Sequence, residues 1–489
     1  MSQLYRRRLM RLIRFLTKQS NVMKRYIIAA IAIAVTGCGI YKPYSRPEVS
    51  TDNLYGAELE SCDTTTIADI EWHEFFTDAK LQALIERGLE NNIDLQAAQL
   101  RIDEAEAALK SARLAYLPSF NLSPTGGVSS FAGSRGAWTY TAPLAASWQI
   151  DIFGGITNAK RKAKAAYAQS LEYRQAVRTR LIAEIANYYY TLLMLDSQFE
   201  VTALTAESLA GSAETMRSMM DAGMTNRAGV SQMEAAAFSA EASLYDIAYN
   251  IRNVENALCT LLGETPHVID RGTLIEQVLP SDINIGIPVQ LLANRPDVRM
   301  AEYALMQAYY ATAAARSALY PSLTLNGILG WTNDAGSAII NPGGLLLSAA
   351  ASIAAPIFNG GKLRAQVKIA EAQQQEALLT FQQTLLNAGA EVNTLLAQVQ
   401  TANSKMDIRE QQINSLIMAV ESTELLMQHG STTYLEVLTA QQNLLSGRLS
   451  QISDYFDRMQ GIVNLYAALG GGREPITEDD NKSKRNKSK

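Results

Sequence analysis

Two hydrophobic periods alternate along this chain. From Gly155 to Gly223 and from Gly360 to Gly430, apolar residues return every three or four positions, as at Leu181, Ile185, Tyr188, Leu192 and Leu195, and proline is absent. That spacing predicts packed helices. Each stretch is about 70 residues, on the order of 100 Å of helix at 1.5 Å per residue, and alanines such as Ala163, Ala165, Ala166 and Ala168 let neighbouring helices approach closely. The second period is two. Across 139–153, Tyr140, Ala142, Leu144, Ala146, Trp148, Ile150 and Ile152 share one face, with Thr139, Thr141, Ser147, Gln149 and Asp151 on the other. Across 345–357, Leu347, Ala349, Ala351, Ile353 and Ile357 oppose Ser348 and Ser352. Segments beginning at Ser119 and Ser322 supply strand partners, through loops rich in Gly, Ser and Asn at 126–136 and 333–344.

A transmembrane strand needs about 9–11 residues of such alternation, and these segments fit. Four strands are fewer than the roughly eight that close the smallest membrane barrel, and open edges are not tolerated in lipid. Closure therefore needs other copies. Two copies give a barrel about filled by its own side chains, so an open conduit favours three. The blander readings are a rod-like coiled coil for the helices and two soluble hairpins for the strands.

The chain also repeats itself, at an offset of roughly 203 to 207 residues. RLAYLPSFNL at 113–122 returns as RSALYPSLTL at 316–325, and DIFGG at 151–155 returns as PIFNGG at 356–361. Gly223 matches Gly430, Thr225 matches Thr432, Val230 matches Val437, and Leu262-Gly263 matches Leu469-Gly470. A duplicated unit builds a pseudo-symmetric object rather than a pocket between unlike domains.

Near the N-terminus, Lys24-Arg25 precede an apolar run from Tyr26 to Val35 and then Val35-Thr36-Gly37-Cys38. This reads as a secretory signal, and the run is too short to span a bilayer. Val-Thr-Gly-Cys resembles a bacterial lipobox, which implies that Cys38 becomes the lipidated first residue; Gly39, not Asp, follows it. Met23 is read as the start. Cys62 and Cys259 make no disulfide framework, and His73, His267 and His429 lack metal-site spacing. A net charge of -5 with no basic block except the tail argues against nucleic acid. No Ser-His-Asp order or phosphate-cradling loop is visible, so no enzyme and no cofactor is expected. Met216, Met219, Met220 and Met224 cluster around Gly223. Thioethers suit Cu(I), although methionine at helical spacing is more often core filler.

WHEFFTDAKLQALIERGLENNIDLQAA at 72–98, with Trp72, Phe76, Asp78, Leu81, Leu84, Asn92, Asp94 and Leu95, resembles the N-terminal signature of the TolC-like outer-membrane efflux family, in its lipoprotein branch. NRPDVRMAE at 294–302 is similar to a second element of that family. With the duplicated strand entries and exits, the resemblance covers residues 40–470. It implies an α+β membrane protein: a homotrimer whose 12-stranded transmembrane β-barrel, four strands per chain, continues into a long periplasmic α-helical barrel of coiled-coil type. It implies docking on a periplasmic adaptor and an inner-membrane transporter of the resistance-nodulation-division class, a lipid-anchored place in the bacterial outer membrane, and passive conduction of drugs or other small toxic compounds. Protein secretion or metal export is the rival on the same fold. A lipid-anchored coiled-coil scaffold is the rival of another class.

The chain divides accordingly. Residues 1–37 are a signal peptide, 38–75 a lipid-anchored equatorial segment, 76–118 periplasmic helices, 119–153 a transmembrane hairpin, and 154–262 periplasmic helices turning near 223. Residues 263–292 are equatorial, 293–320 periplasmic helices, 321–358 a second hairpin, 359–470 periplasmic helices turning near 430, and 471–489 a disordered tail. Gly223, Thr225, Gly430, Thr432 and Glu436 are assigned to the periplasmic tip and gate. Glu436 stands where the resemblance implies a gate aspartate, while Thr439 and Gly229 replace acidic residues usual nearby. Three copies of one carboxylate around an axis would favour cations.

Overall fold

A computed structural model describes residues 42–48, 54, 66–130, 133, 136–280, 294–332, 344–429 and 431–473. The expected signal peptide, Cys38, Cys62, Gly430, all of 281–293 and the tail beyond 473 lie outside the described residues. The chain forms two compact units, one of residues 1–48, 103–169 and 301–380, the other of 49–102, 170–300 and 381–489.

The first unit holds one antiparallel sheet of β1 (Ser119–Leu122), β2 (Thr125–Ser129), β3 (Ala137–Ile150), β4 (Ser322–Thr332) and β5 (Gly344–Ala354). Its order is β1-β3-β4-β5, with β2 also on β3. The repeats thus meet inside the chain along β3 and β4, where Ser147 faces Asn326 and Ile150 faces Leu323. The sequence anticipates one strand where the structure has β1 and β2. Both keep the same register on β3, Ser119 opposite Ser147 and Thr125 opposite Thr141, so they are one strand interrupted at Ser123-Pro124. The cause lies on the neighbouring strand: Ser123 N–H donates to the Pro143 carbonyl at 3.3 Å, but Pro143 has no N–H to return. Strands β3 and β5 also stop sooner than the alternation suggests, at Ile150 and Ala354. Asp151 is withdrawn from the strand because its carboxylate accepts from Ile156 N–H (3.1 Å), Thr157 N–H (2.8 Å) and the Thr157 hydroxyl (2.6 Å) at the start of the next helix.

No Asp, Glu, Lys, Arg or His occurs in any of the five strands. One face carries Phe120, Leu122, Leu144, Trp148, Leu329, Trp331, Leu347 and Ile353, all exposed. The other carries hydroxyls and amides bonded across strands: Thr125 to Thr141 at 2.7 Å, and the Ser147 hydroxyl to Asn326 Oδ1 at 2.9 Å.

The helices are α1 (Trp72–Phe75), α2 (Ala79–Asn91), α3 (Ile93–Leu114), α4 (Gly155–Asp221), α5 (Arg227–Leu262), α6 (Pro296–Ser317), α7 (Lys362–Gln428) and α8 (Tyr434–Ala468). The duplication shows in their lengths: 67 residues for both α4 and α7, and 22 for both α3 and α6. Among the described residues no helix is long and apolar enough to cross a membrane. In the second unit the expected seam of α4 is buried at Leu181, Ile185, Leu192 and Leu195, and so are Ile182, Tyr189, Tyr190 and Leu193. The helix is enclosed on more than one side there, which a single amphipathic stripe does not anticipate. Phe75 stacks on Tyr466 at 4.1 Å, with Phe76 edge-on to Phe75 at 4.8 Å.

Candidate functional site

Two places in the second unit recur in both repeats. The first is where each long helix pair ends. Gly263, which closes α5, has φ 72°, and Gly470, just past α8, has φ 92°. Each lies against the backbone of the next matched asparagine. A Cβ on Gly263 would sit 2.9 Å from the Asn91 carbonyl oxygen, and one on Gly470 would sit 2.5 Å from that of Asn294. The residue after each asparagine then reaches a helix-end carbonyl. Asn92 Nδ2 donates to Leu261 O at 2.8 Å, and Arg295 Nη1 donates to Ala468 O at 2.9 Å. Arg295 also bonds Asp297 and Glu391. Burial opposes its charge, but these two carboxylates outweigh it and hold the guanidinium protonated. The equivalence of Asn92 and Arg295 is invisible in residue type. Its only signal in the sequence is their shared place after Asn91 and Asn294.

The second place is the pair of helix reversals. After α4, Gly223 takes φ 75°; Met224 N–H donates to Met219 O at 2.8 Å and Gly223 N–H to Met220 O at 2.9 Å. This closure needs a left-handed residue and supplies partners for the last helix carbonyls. Thr225 is half-buried, and Asn226 caps α5 by accepting from Gly229 N–H at 3.0 Å. After α7, Ser431 N–H donates to Leu426 O at 2.9 Å. The Thr432 hydroxyl donates to Glu436 Oε2, which fixes the exposed carboxylate in the first turn of α8. A carboxylate there also suits the positive end of the helix. Gly430, the partner of Gly223 in the repeat, lies outside the described residues.

The reversals share one apolar cluster of Met216, Val230, Met427 and Val437, against which Met220 and Tyr434 pack. Met216 is therefore core rather than an open thioether ligand. Gly229 has a steric reason to lack a side chain: a Cβ would fall 2.8 Å from Met216 Cε and 3.0 Å from the Tyr434 ring. Tyr434 also links α8 to α5, its hydroxyl donating to Gln232 Oε1 at 2.9 Å. Nearby, Arg217 bridges Glu214 and Glu234. Deeper in the helices, Gln441 Nε2 donates to Glu424 (2.8 Å) and Ser212 (3.2 Å), and buried Asp454 accepts from Arg409 at 2.9 Å. Sequence reasoning missed these buried polar ties, because single Gln and Asp residues in a polar helix carry no pattern.

Among the described residues the second unit offers two helix reversals, an exposed carboxylate and helices repeated within one chain. The model of a family described as outer membrane efflux protein matches residues 84–264 and 287–471. The chain belongs to that family. It is 28% identical to the cation efflux system protein CusC of Escherichia coli (strain K12) over 449 residues, which is 90% of this chain and 98% of that protein. It is 27% identical to the probable outer membrane lipoprotein SilC of Salmonella typhimurium, over 92% of this chain and 99% of the other. It is 28% identical to the solvent efflux pump outer membrane protein SrpC of Pseudomonas putida, over 89% and 96%. Among solved structures, one of CusC aligns at TM-score 0.80 and 27% identity, covering 88% of this chain and 99% of that one. This efflux protein is thus an outer-membrane channel component, and its relatives are channels rather than enzymes.

Proposed function

We propose that this efflux protein is a trimeric conduit in the outer membrane, lipid-anchored at Cys38, that receives cargo from a periplasmic adaptor and an inner-membrane transporter of the resistance-nodulation-division class. The observation that carries this reading is the sheet: five uncharged segments that act as four strands, one face apolar and exposed, the other hydroxyl-lined, with both edges unpaired among the described residues. Such a sheet is stable in lipid only when closed, and twelve strands from three copies leave a bore where eight would not. Support for the anchor comes from residues 42–48, which meet α6 where Arg46 forms a two-point ion pair with Glu302 at 2.6 and 2.7 Å.

In this reading Gly223, Thr225, Gly430, Thr432 and Glu436 form the periplasmic tip, with Glu436 facing the bore and admitting cations in preference to anions. The cargo is drugs or other small toxic compounds. Cations are the second reading, favoured by the names of CusC and SilC. One experiment addresses both. The chain is expressed with the adaptor and transporter encoded beside it, in a host lacking its own efflux channels, and exposed to dyes, solvents and silver or copper salts. Restored resistance to organic compounds supports the first cargo, and restored resistance to the metal salts alone supports the second. Resistance to none, with the protein present in the outer membrane, contradicts the conduit.

A further inference from the structure

We propose that one face at the start of α4, built by Lys160, Arg161 and Lys164 beside the rings of Tyr116 and Tyr310, binds the phosphate groups of anionic phospholipids in the periplasmic leaflet of the outer membrane. This inference rests on the conduit reading, which supplies the membrane, and adds which lipid the protein selects and which residues select it.

Charge along the first unit is distributed unevenly. The five strands carry none, whereas in the stretches that adjoin them, 107–118, 152–171, 303–321 and 355–370, ten residues are Lys or Arg and none is Asp or Glu. The whole chain has a net charge of -5, so this belt opposes the trend of the rest. Basic clusters next to a membrane segment are drawn to anionic lipid. A zwitterionic lipid brings its own ammonium group and complements such a belt poorly.

Within the belt, α4 presents a defined face. Trp148, on the apolar side of the sheet, donates its indole N–H to the Tyr116 carbonyl at 2.8 Å, and the Tyr116 hydroxyl is hydrogen-bonded to that of Thr157 at 2.9 Å. Lys160 Nζ then lies over the Tyr116 ring, 5.0 Å from its centroid, and the Arg161 guanidinium lies over the Tyr310 ring at 5.7 Å. At roughly 100° per residue, Lys164 falls between these two directions, one turn further along. It is exposed and forms no ion pair among the described residues. Rings that hold a cation from one side leave its other donors outward, and tyrosines with long basic side chains suit the zone between hydrocarbon and water. Lys162, two residues from Lys160, points to the opposite side of the helix.

Two contacts set the side on which this face lies. Trp148 ties it to the apolar side of the sheet, the side that meets lipid in a closed wall. Residues 42–44 lie on the same pair of tyrosines, with Tyr44 N–H donating to the Tyr310 hydroxyl at 3.4 Å and the Tyr309 hydroxyl to the Lys42 carbonyl at 3.2 Å. Lys42 stands four residues after Cys38, a reach of at most about 14 Å, so a lipid anchor at Cys38 enters the leaflet beside the patch.

Native mass spectrometry of the full-length protein, released from nanodiscs of phosphatidylethanolamine with a minor share of phosphatidylglycerol, tests this by the lipid it retains. Wild-type protein should hold phosphatidylglycerol above its share of the bilayer, and less so at high salt. Lys164→Gln and Lys160→Gln should each weaken that retention about fivefold, whereas Lys162→Gln should leave it unchanged. Equal loss in Lys162→Gln, or retention at the bilayer ratio in the wild type, would overturn the patch. Displacement of the lipid by inorganic phosphate at equal concentration would overturn a lipid as its occupant. A reversal potential moved toward cations in Lys164→Gln, with lipid retention unaltered, would place the patch in the bore and overturn it too. In each of these cases trimers that still conduct in planar bilayers leave the conduit standing; monomers that pass no current would remove both.

Discussion

At the residue scale, Asp78 shows how a fold-bearing carboxylate differs from a functional one. Burial alone would raise its pKa, but the Tyr189 hydroxyl (2.6 Å), Gln277 Nε2 (2.8 Å) and the Lys80 and Leu81 N–H groups outweigh that and hold it below the ordinary carboxylate value. The Tyr189 hydroxyl, buried and donating to Asp78, is pushed well above its usual range and stays neutral. A carboxyl depressed in the folded state contributes stability in full above its unfolded pKa, about 4, and loses it as pH falls through the lower folded value. Asp78→Asn should therefore lower stability by about 1–2 kcal/mol near neutrality, and thermal melts of variant and wild type should converge in acid. A constant gap across that range would contradict the assignment. Gly470→Ala should cost more than about 2 kcal/mol, since it combines left-handed strain with a backbone collision. Gly211, exposed in α4, where an added Cβ would meet no heavy atom beyond its own helix backbone within 4 Å, is the control; Gly211→Ala should stabilise by about 0.5–1 kcal/mol.

At the element scale, much of the molecule is legible in the sequence because duplication and periodicity reinforce one another. Helix stops fall at Gly223 and Gly263, and strands fall where alternation is strict. What escaped reading has a physical cause in each case. The β1–β2 break comes from a proline on a neighbouring strand, a cross-strand effect no local window contains. Asp151 fits the strand's alternation but serves a helix N-terminus. Gly229, which the resemblance marks only as a departure from an acidic residue, makes room for Met216 and Tyr434. Of the candidate site, the turn at Gly223 and the neighbours of Glu436 are now placed, while Cys38 and Gly430 rest on the sequence. The absence of charge in the strands has its own consequence: the wall should discriminate little by sign, leaving selectivity to the helical turns. Ser147→Asp, on the hydroxyl face, should then shift the reversal potential under a salt gradient toward cations, because a carboxylate in a neutral bore acts unopposed. Glu436→Gln should move it the other way. No movement in either variant, with assembly intact, would contradict the placing of both residues along the bore.

At the scale of the whole molecule, the chain leaves both edges of its sheet unpaired among the described residues and carries paired helix reversals packed together through Tyr434 and Met216. The measurement that tests this most directly is single-channel conductance of the purified protein in planar bilayers, comparing wild type with Tyr434→Ala, which removes both the packing on Gly229 and the bond to Gln232. The account predicts small, infrequent steps from the wild type and larger, longer-lived steps from the variant, both from trimeric protein. Stable, membrane-inserted protein that passes no current in either form would contradict it.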